Sequence, residues 1–532
     1  MSEELKSKLE KAKQEHVLSF VRNGKLSADE EKKLYAQLES FDYDRINRLF
    51  RKTVLEPEPQ GNETITPMPE GVAMTIEQVL EKREELEATT YKLVDEGAVA
   101  FVTLSGGQGT RLGFDGPKGM YDIELPSHKT LFQLYAERLA ALQSRVKLKY
   151  KKDVEPIIPW YIMTSPLNHE ATCLYFEEEG YFGLKKENVF LFPQGTLPCF
   201  DNDGKFILEN KFKVATAPDG NGGIYSSLKE SGAIDDMVRR KIKWVQATSV
   251  DNSLVRVSDP HFIGSCELRG ADVGNLSCPK SVWNEKVGVV AMKGGKYHIV
   301  EYSEIDEAMA KQRDGSGLLV YRSANICNHC FSLEFLVNTA LPALQTSYHI
   351  ARKKIPQADD AGNTVKPTEN NGIKLEMFIF DVFPLSKNMV VVECERATNF
   401  APVKNAPSTD GTVAPDSPQS ARQMIFAMCK KWLTNAGATV VEGESKICEV
   451  TPFVSYDGQY LDEHVKGCTL ISPCLVASRK DFDKAKCRSC GNTGIDFMGQ
   501  SCSCEFGTAK SVPGSKNLKH MFRNGVNVYL ID

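Results

Sequence analysis

The sequence predicts an α/β fold with a central Rossmann-like, mostly parallel mixed sheet flanked by helices, and three observations predict it. Short apolar runs typical of buried strands recur at 98–104, 160–164, 189–192, 244–248, 287–292 and 377–383. Segments with helical hydrophobic spacing, such as 131–142, alternate with these runs, as they do in βαβ units. A glycine-rich turn directly follows the first run, at the carboxyl end of a strand, where α/β sheets bind ligands.

We predict four consecutive units along the chain. Residues 1–95 form a helical N-terminal lobe, because Ser27 with Glu30 and Thr75 with Gln78 have the pattern of capping boxes that open helices. Residues 96–405 form the large α/β domain. A segment with four prolines at 401–419 leads into a small C-terminal domain at 406–480, and 481–532 form an extension that carries four cysteines.

Bulk composition argues against several classes of function. The formal net charge of −5 gives no support for nucleic acid as a partner. No apolar run approaches the ~20 residues that span a bilayer, so we expect no membrane partner. The N-terminal stretch carries mixed charges without the apolar region of a secretory signal, and the 15 cysteines are odd in number. We therefore expect reduced thiols and a cytoplasmic location, while the oligomeric state stays open.

The turn Leu104-Ser-Gly-Gly-Gln-Gly-Thr-Arg-Leu-Gly113 has the chemistry of a phosphate-binding loop. It lacks the Gly-Lys-Ser/Thr of a Walker A loop, and its glycines are spaced one residue too far for the dinucleotide fingerprint. Small residues nevertheless let backbone amides approach phosphate oxygens closely. Arg111 adds a bidentate cation and Lys118 a second positive charge, so we predict that the turn wraps a triphosphate.

Eight motifs carry a resemblance to a known family. They are SGGQGTRLG with PKG, PQGTLPCF, APDGNGGIY, VDNSLVRVSDP, VGVV, VEYSE, NGIKLEMFIFD and FAPVKNA, in that order. The chain resembles the eukaryotic UDP-N-acetylhexosamine pyrophosphorylases over roughly residues 75 to 475. The resemblance implies a fold of the nucleotide-diphospho-sugar transferase type, with 96–405 as the catalytic domain. It also implies that N-acetylglucosamine 1-phosphate attacks the α-phosphorus of UTP, with UDP-N-acetylglucosamine and pyrophosphate as products.

On the nucleotide side, the resemblance implies a role in catalysis for Arg111, Lys118 and Lys404, which hold the phosphates and stabilise charge on the leaving group. It implies UTP binding by Gly106, Gly107, Gln108, Gly109, Gln194, Gly220, Asp251 and Lys374. The side-chain amide of Gln194 can offer uracil both a donor and an acceptor. Asp251, at the end of an apolar run, is the expected ligand of Mg²⁺ or Mn²⁺.

On the sugar side, the resemblance implies contacts from Asn221, Gly288, Glu301, Tyr302, Asn325, Phe378 and Phe380, with the two phenylalanines around the N-acetyl group. Two departures from the family pattern are Ser105 in place of alanine in the loop and Ala324 in place of glycine before Asn325. They leave open the choice between N-acetylglucosamine and N-acetylgalactosamine. A UDP-glucose or broad UDP-sugar pyrophosphorylase and a non-catalytic UDP-sugar sensor stay as alternatives.

Four cysteines, Cys487, Cys490, Cys502 and Cys504, lie beyond the region of resemblance. Four thiolates can bind Zn²⁺ tetrahedrally, so one hypothesis is a structural zinc site in the extension. The other hypothesis is a cysteine-bearing tail without metal, because the second pair is spaced CxC rather than CxxC. Within the resembling region, the pair at 327 and 330 has no second pair nearby in sequence, and we predict two packing thiols there.

Overall fold

The computed structural model describes residues 2–56, 63–344, 348–443, 445–485, 509–515 and 517–531. Its largest feature is an eleven-stranded central sheet. The strands in chain order are β1 Ile65–Thr66, β2 Ala73–Met74, β3 Val99–Leu104, β4 Trp160–Thr164, β5 Val189–Pro193, β6 Trp244–Ser249, β7 Val273–Pro279, β8 Val289–Lys293, β9 Lys296–Val300, β10 Ser323–Ser332 and β11 Met389–Glu393. The first five predicted runs all form strands, and their ends lie within two residues of the predicted ones.

The central sheet is mixed and mostly parallel, as the sequence predicts. Its order is β2-β11-β7-β10-β6-β3-β4-β5, with β1, β8 and β9 attached beside β10. Along this path the neighbours are parallel except at β10, which runs antiparallel to both β6 and β7. The parallel pair β3 and β6 is aligned so that Leu104 faces Ser249. The glycine-rich turn after Leu104 and the segment after Ser249 therefore leave the same edge of the sheet.

Helices cover both faces of the sheet, because successive side chains of a strand point to opposite sides. In β3, Val99 and Phe101 belong to one hydrophobic core, and Ala100 and Val102 belong to the other. The helices of the first core are Ile76–Glu81, Arg83–Asp95, Leu131–Tyr150, His169–Glu178, Pro260–Leu268 and Pro418–Asn435. Those of the second are Ile224–Glu230, Ala233–Arg239, Leu333–Phe335 and the 3₁₀-helix Ile379–Leu385.

The N-terminal lobe is helical, with helices Glu3–Lys11, Ser19–Arg22, Ala28–Glu39 and Tyr43–Phe50. Both predicted capping boxes form, at Ser27 and at Thr75. The lobe packs on a β-rich insertion of the large domain, where Leu34 and Phe50 share a core with Phe200. The helices between 76 and 95 pack instead in the core of the central sheet. We therefore propose that the lobe ends before residue 63.

The C-terminal unit contains a five-stranded sheet of Cys448–Val450, Cys474–Ser478, Lys510–Ser511, Leu518–Arg523 and Val526–Ile531. Its last strand is parallel to Cys474–Ser478, with Val476 opposite Tyr529. The three strands after residue 509 thus join the sheet of the small domain, although the sequence places them in a separate extension. We propose one C-terminal unit that includes them. The four cysteines of the zinc hypothesis lie outside the described residues, so that hypothesis stays a prediction.

One predicted strand is wrong. The run 377–383 is not a strand, because the strand Gly372–Glu376 ends before it and the 3₁₀-helix Ile379–Leu385 follows. The physical reason is local: the Asp381 carboxylate accepts a 2.7 Å hydrogen bond from the Phe378 amide and caps the turn, and Pro384 cannot donate to a strand ladder. Among the residues described, no helix combines the length and the apolar character that crossing a bilayer requires.

Candidate active site

The glycine-rich turn folds into a compact loop at the carboxyl end of β3. The amide of Gly109 donates to the carbonyl of Gly116 at 2.9 Å, and the amide of Lys118 donates to that of Gly107 at 3.1 Å. A side chain at Gly109 would place its Cβ 2.6 Å from the Phe114 ring, so glycine is needed for this closure. The loop therefore brings Lys118 back beside the first glycines of the turn.

A cluster of charges forms where this loop meets the segment after β6. The pKa of Lys118 is lowered, first by burial of its ammonium group and then by the positive charges of Lys404 and Arg111, while Asp251 opposes the shift. Arg111, Lys404 and the predicted metal ligand Asp251 therefore all lie within electrostatic reach of Lys118. Lys118 and Asp251 are half-buried, which weakens the screening of their charges by water, whereas Arg111 and Lys404 are exposed.

The cluster depends on Asn252, a residue that the sequence analysis did not single out. This buried side chain accepts a 2.9 Å hydrogen bond from the amide of Ala401 and donates a 2.8 Å bond to the carbonyl of Asn399. The Tyr135 hydroxyl donates to the carbonyl of Asn252 at 2.8 Å. These bonds join the end of β6 to the segment that carries Lys404. The sequence carried one signal for the role of Asn252, namely that it directly follows Asp251, the expected metal ligand.

Asp251 suits a Mg²⁺ ion that takes its other ligands from water and the substrate phosphates. Its side chain is half-buried and lies near Lys118 and the Cys327 thiol, whose pKa burial raises to about 12. Within the described ranges, no three His, Cys, Asp or Glu side chains group as a metal site. Mg²⁺ commonly takes one or two carboxylates together with water and substrate phosphates, so one carboxylate near a phosphate loop suits it.

Gln194 faces the first glycines of the loop. Its side-chain oxygen would lie 2.6 Å from a Cβ at Gly106, and its Nε2 donates to the carbonyl of Gly220 at 3.0 Å. The sequence predicts that this amide offers uracil both a donor and an acceptor. In the structure Nε2 donates to the carbonyl of Gly220, and Oε1 lies on the side of the loop. Gly107 is held by Asn168, a buried residue absent from the prediction, whose Nδ2 donates to its carbonyl at 3.3 Å.

Two other predicted UTP residues have different surroundings. Gln108 pairs with Pro117 across the loop, and its Oε1 is buried with no hydrogen-bond partner in the described part of the chain. Lys374 lies near Cys199, where burial raises the thiol pKa to about 11 and the lysine charge opposes the shift. Lys374 is not among the charges that act on Lys118. The structure therefore does not bring Lys374 into the charge cluster.

Three predicted sugar residues come together beside β8 and β10. The amide of Asn325 donates to the carbonyl of Gly288 at 2.9 Å, and a Cβ at Gly288 would lie 3.1 Å from the Glu301 carboxylate. Burial raises the pKa of Glu301. Tyr302 follows Glu301 and is 49% exposed, and no hydrogen bond or ring contact in the described residues ties it to this group. The residue at 288 must be small for the carboxylate to approach.

The other three sugar residues are joined by the turn after Glu376. The Asn221 side chain accepts a 3.0 Å hydrogen bond from the amide of Ile379. The rings of Phe378 and Phe380 stack with centroids 5.2 Å apart. The His349 ring, which sequence analysis missed, packs on Phe378 at 4.8 Å. The rings of Phe378 and Phe380 are half-buried and lie in a turn, so they form an apolar wall and are not part of the face of a sheet.

Comparisons with known proteins show the family of this chain. The family model described as UTP--glucose-1-phosphate uridylyltransferase matches residues 44–472. The UDP-N-acetylglucosamine pyrophosphorylase of Saccharomyces cerevisiae is 42% identical over 405 residues, which cover 75% of this chain and 82% of the yeast protein. The human UDP-N-acetylhexosamine pyrophosphorylase-like protein 1 is 37% identical over 510 residues, covering 91% and 98% of the two chains.

A solved structure is also similar to this chain over most of its length. The uridine diphosphate N-acetylglucosamine pyrophosphorylase of Trypanosoma brucei has a TM-score of 0.74 and 31% identity, and the match covers 86% of this chain and 93% of that one. Sequence and structure thus agree over the whole region that builds the site. The chain belongs to the UTP--glucose-1-phosphate uridylyltransferase family, together with the UDP-N-acetylhexosamine pyrophosphorylases that the sequence motifs resemble.

Proposed function

We propose that this chain is a uridylyltransferase that forms UDP-N-acetylglucosamine and pyrophosphate from UTP and N-acetylglucosamine 1-phosphate. The observation that carries the proposal is the convergence of Arg111, Lys404 and Asp251 on Lys118 at the edge where β3 and β6 end, with the amide of Val403 bonded to the carbonyl of Asp251. A UDP-sugar sensor would need the uridine and sugar contacts but not three cations beside one carboxylate. The names of the relatives support the same reaction.

In this reaction two polyanions must meet, because a phosphate oxygen of the sugar 1-phosphate attacks the α-phosphorus of UTP. That oxygen is already ionised at neutral pH, so the protein has no need to remove a proton from it. Arg111, Lys118 and Lys404 hold the triphosphate in line with the nucleophile and stabilise the charge that develops on the departing pyrophosphate. A Mg²⁺ or Mn²⁺ ion at Asp251 would add charge neutralisation between phosphate oxygens.

Separate sets of residues receive the two ends of the product. Gln194, with Gly106, Gly107 and Gly220, receives the uracil, and Gly288, Glu301 and Asn325 receive hydroxyls of the sugar. Asn221, Phe378 and Phe380 surround the N-acetyl group. A cytoplasmic location suits the enzyme, because eleven cysteines in the described part of the chain are free thiols.

Pyrophosphate release tests the proposal. Purified protein with UTP and Mg²⁺ receives, one at a time, the 1-phosphates of N-acetylglucosamine, N-acetylgalactosamine and glucose. Fast release with the first and little with glucose is expected, because only the N-acetyl sugars fill the aromatic wall. A preference for glucose would leave the transfer chemistry in place and overturn the sugar assignment. No release from folded protein that still binds UDP-N-acetylglucosamine would favour the sensor.

A further inference from the structure

Asp219 is a buried carboxylate directly beside Gln194. It is 2% exposed, and its Oδ1 lies 3.4 Å from Gln194 Nε2, which donates to it while also donating to the carbonyl of Gly220 at 3.0 Å. Both groups that receive this NH₂ are acceptors without a hydrogen to donate in return. The amide of Gln194 therefore has one stable orientation, with Nε2 toward Asp219 and Oε1 toward the nucleotide loop.

The position of Asp219 is closely defined by its neighbours. A Cβ at Gly223 would lie 2.0 Å from Oδ1, so this neighbour must be glycine for the carboxylate to fit, and a Cβ at Gly195 would lie in tight contact, 3.1 Å from Oδ2. The carbonyl of Asp219 accepts a 2.8 Å hydrogen bond from the amide of Met377. The backbone on both sides of the carboxylate is thus held, and the carboxylate has little freedom to move away from Gln194.

We propose that Asp219 is a positioning residue that holds the Gln194 amide with its oxygen toward the base, and that it thereby makes the site select uracil over cytosine. The inference rests on the proposed function, in which Gln194 meets the base. Uracil carries a hydrogen on N3 and can donate to Oε1. Cytosine has a lone pair on N3, so two acceptors would face each other in a buried site.

Three charged or titratable groups face Asp219 besides Gln194. Arg45 reaches it from the helix Tyr43–Phe50, Glu230 from the end of the helix Ile224–Glu230, and Tyr348 from the segment before His349. Burial raises the pKa of Asp219 to about 6, the Gln194 hydrogen bond and Arg45 lower it, and Glu230 raises it. Asp219 is therefore a carboxylate above about pH 7. Below pH 6 it gains a hydrogen that it can donate, so its hold on the orientation of the Gln194 amide weakens and the carbonyl of Gly220 is the acceptor that stays.

The experiment compares kcat/KM for UTP and for CTP, with N-acetylglucosamine 1-phosphate as the second substrate, in wild type and in Asp219→Asn. The asparagine has the same shape but can donate as well as accept, so it removes one of the two acceptors that hold the Gln194 amide and leaves the carbonyl of Gly220 as the other. The UTP-to-CTP ratio is expected to fall by about tenfold or more. Asp235→Asn, an exposed position on the helix Ala233–Arg239, is the matched control and should keep the wild-type ratio.

A second measurement does not depend on the folding of Asp219→Asn. In wild type, the UTP-to-CTP ratio should be constant above about pH 7 and should fall as the pH drops through 6. In Arg45→Met the midpoint of this fall should move to higher pH, because Arg45 lowers the pKa of Asp219. A structural role alone would not shift a base-selectivity midpoint.

The outcomes separate the two proposals. An unchanged ratio in folded Asp219→Asn, or a wild-type ratio that is flat between pH 5 and 8, would overturn the role of Asp219. Wild-type protein that releases no pyrophosphate from UTP with any sugar 1-phosphate would instead overturn the proposed function. A lower ratio in the variant together with the pH-dependent fall in wild type would establish Asp219 as the residue that orients Gln194.

Discussion

The amide of Val403 donates a 2.9 Å hydrogen bond to the carbonyl oxygen of Asp251. This bond joins two segments that lie about 150 residues apart in the chain and puts Lys404, the next residue, beside the expected metal ligand. Asn252 supports the same junction with its bonds to Asn399 and Ala401. Contacts between two loops therefore set the position of Lys404 relative to Asp251.

Removal of the Asn252 side chain should loosen this junction. Asn252→Ala leaves the amides of Ala401 and Leu254 and the carbonyl of Asn399 without this partner, which costs about 1–3 kcal/mol of stability for each group that stays unsatisfied. Because Lys404 moves with the junction, kcat should fall more than the affinity for UTP. Urea unfolding and steady-state kinetics measure the two effects. A kcat equal to that of wild type would show that Lys404 is positioned independently.

Truncation of Lys404 should affect the chemical step more than the fold. Its side chain is exposed, so Lys404→Ala should unfold at the wild-type urea concentration. Loss of one preorganised positive group should lower kcat by about 10²- to 10³-fold. Lys6→Ala, which removes an exposed lysine in the helix Glu3–Lys11, is the matched control and should keep wild-type kinetics. Wild-type kcat in Lys404→Ala would remove this residue from the mechanism.

Phe378 should determine preference for the N-acetyl sugar. Phe378→Ala opens the aromatic wall next to Phe380 and removes apolar contact with the acetyl methyl group. We expect kcat/KM for N-acetylglucosamine 1-phosphate to fall by about ten- to a hundredfold, with a small change for glucose 1-phosphate. The substrate panel measures this ratio directly. Equal losses for both sugars would indicate a general packing role for the ring.

His349 should make stability depend on pH in a defined direction. Its Nε2 lies 3.0 Å from an oxygen of Asp381, and this hydrogen bond raises the pKa of the imidazole, although burial opposes the shift. A raised folded-state pKa contributes stability that is fully present below the unfolded-state pKa and is lost as pH rises through the folded one. Wild type should therefore exceed His349→Gln in stability by more at pH 5.5 than at pH 8.5. The same difference in stability between wild type and His349→Gln at both pH values would contradict this prediction.

Removal of the buried Lys129 ammonium group should strongly lower the free energy of unfolding. It is 2% exposed and pairs with both Glu137 and Asp481, so it joins the helix Leu131–Tyr150 to the C-terminal unit. Lys129→Met leaves two carboxylates buried without their cation, and we expect a loss of about 3–5 kcal/mol in the free energy of unfolding.

The exposed pair Lys186 and Glu177 provides the control for this prediction. Its two side chains are 2.9 Å apart and mostly exposed, so Lys186→Met should cost about 1 kcal/mol or less. Denaturant unfolding at neutral pH compares the two variants. A similar small cost for both would mean that the buried carboxylates protonate or gain water once Lys129 is gone.

Much of the fold could be predicted because its signals are local. Strand β4 was predicted at its observed bounds from one apolar run, and the capping boxes at Ser27 and Thr75 formed as predicted. The run 377–383 was mispredicted because its apolar pattern outweighed one capping aspartate, Asp381, three residues after Phe378. The boundaries of the units in the structure also differ from those predicted, because strand partners such as Val476 and Tyr529 lie far apart in the sequence.

The sequence by itself determined the class of fold, the position of the glycine-rich loop after a strand and the identity of the charged residues, because each depends on residue type and short spacing. Only the tertiary structure decided which of them meet. It brought Arg111, Asp251 and Lys404 within electrostatic reach of Lys118, without Lys374, and it placed the Asp219 carboxylate beside the Gln194 amide. These relationships depend on strand register and on buried hydrogen bonds between distant segments, and neither has a local signal in the sequence.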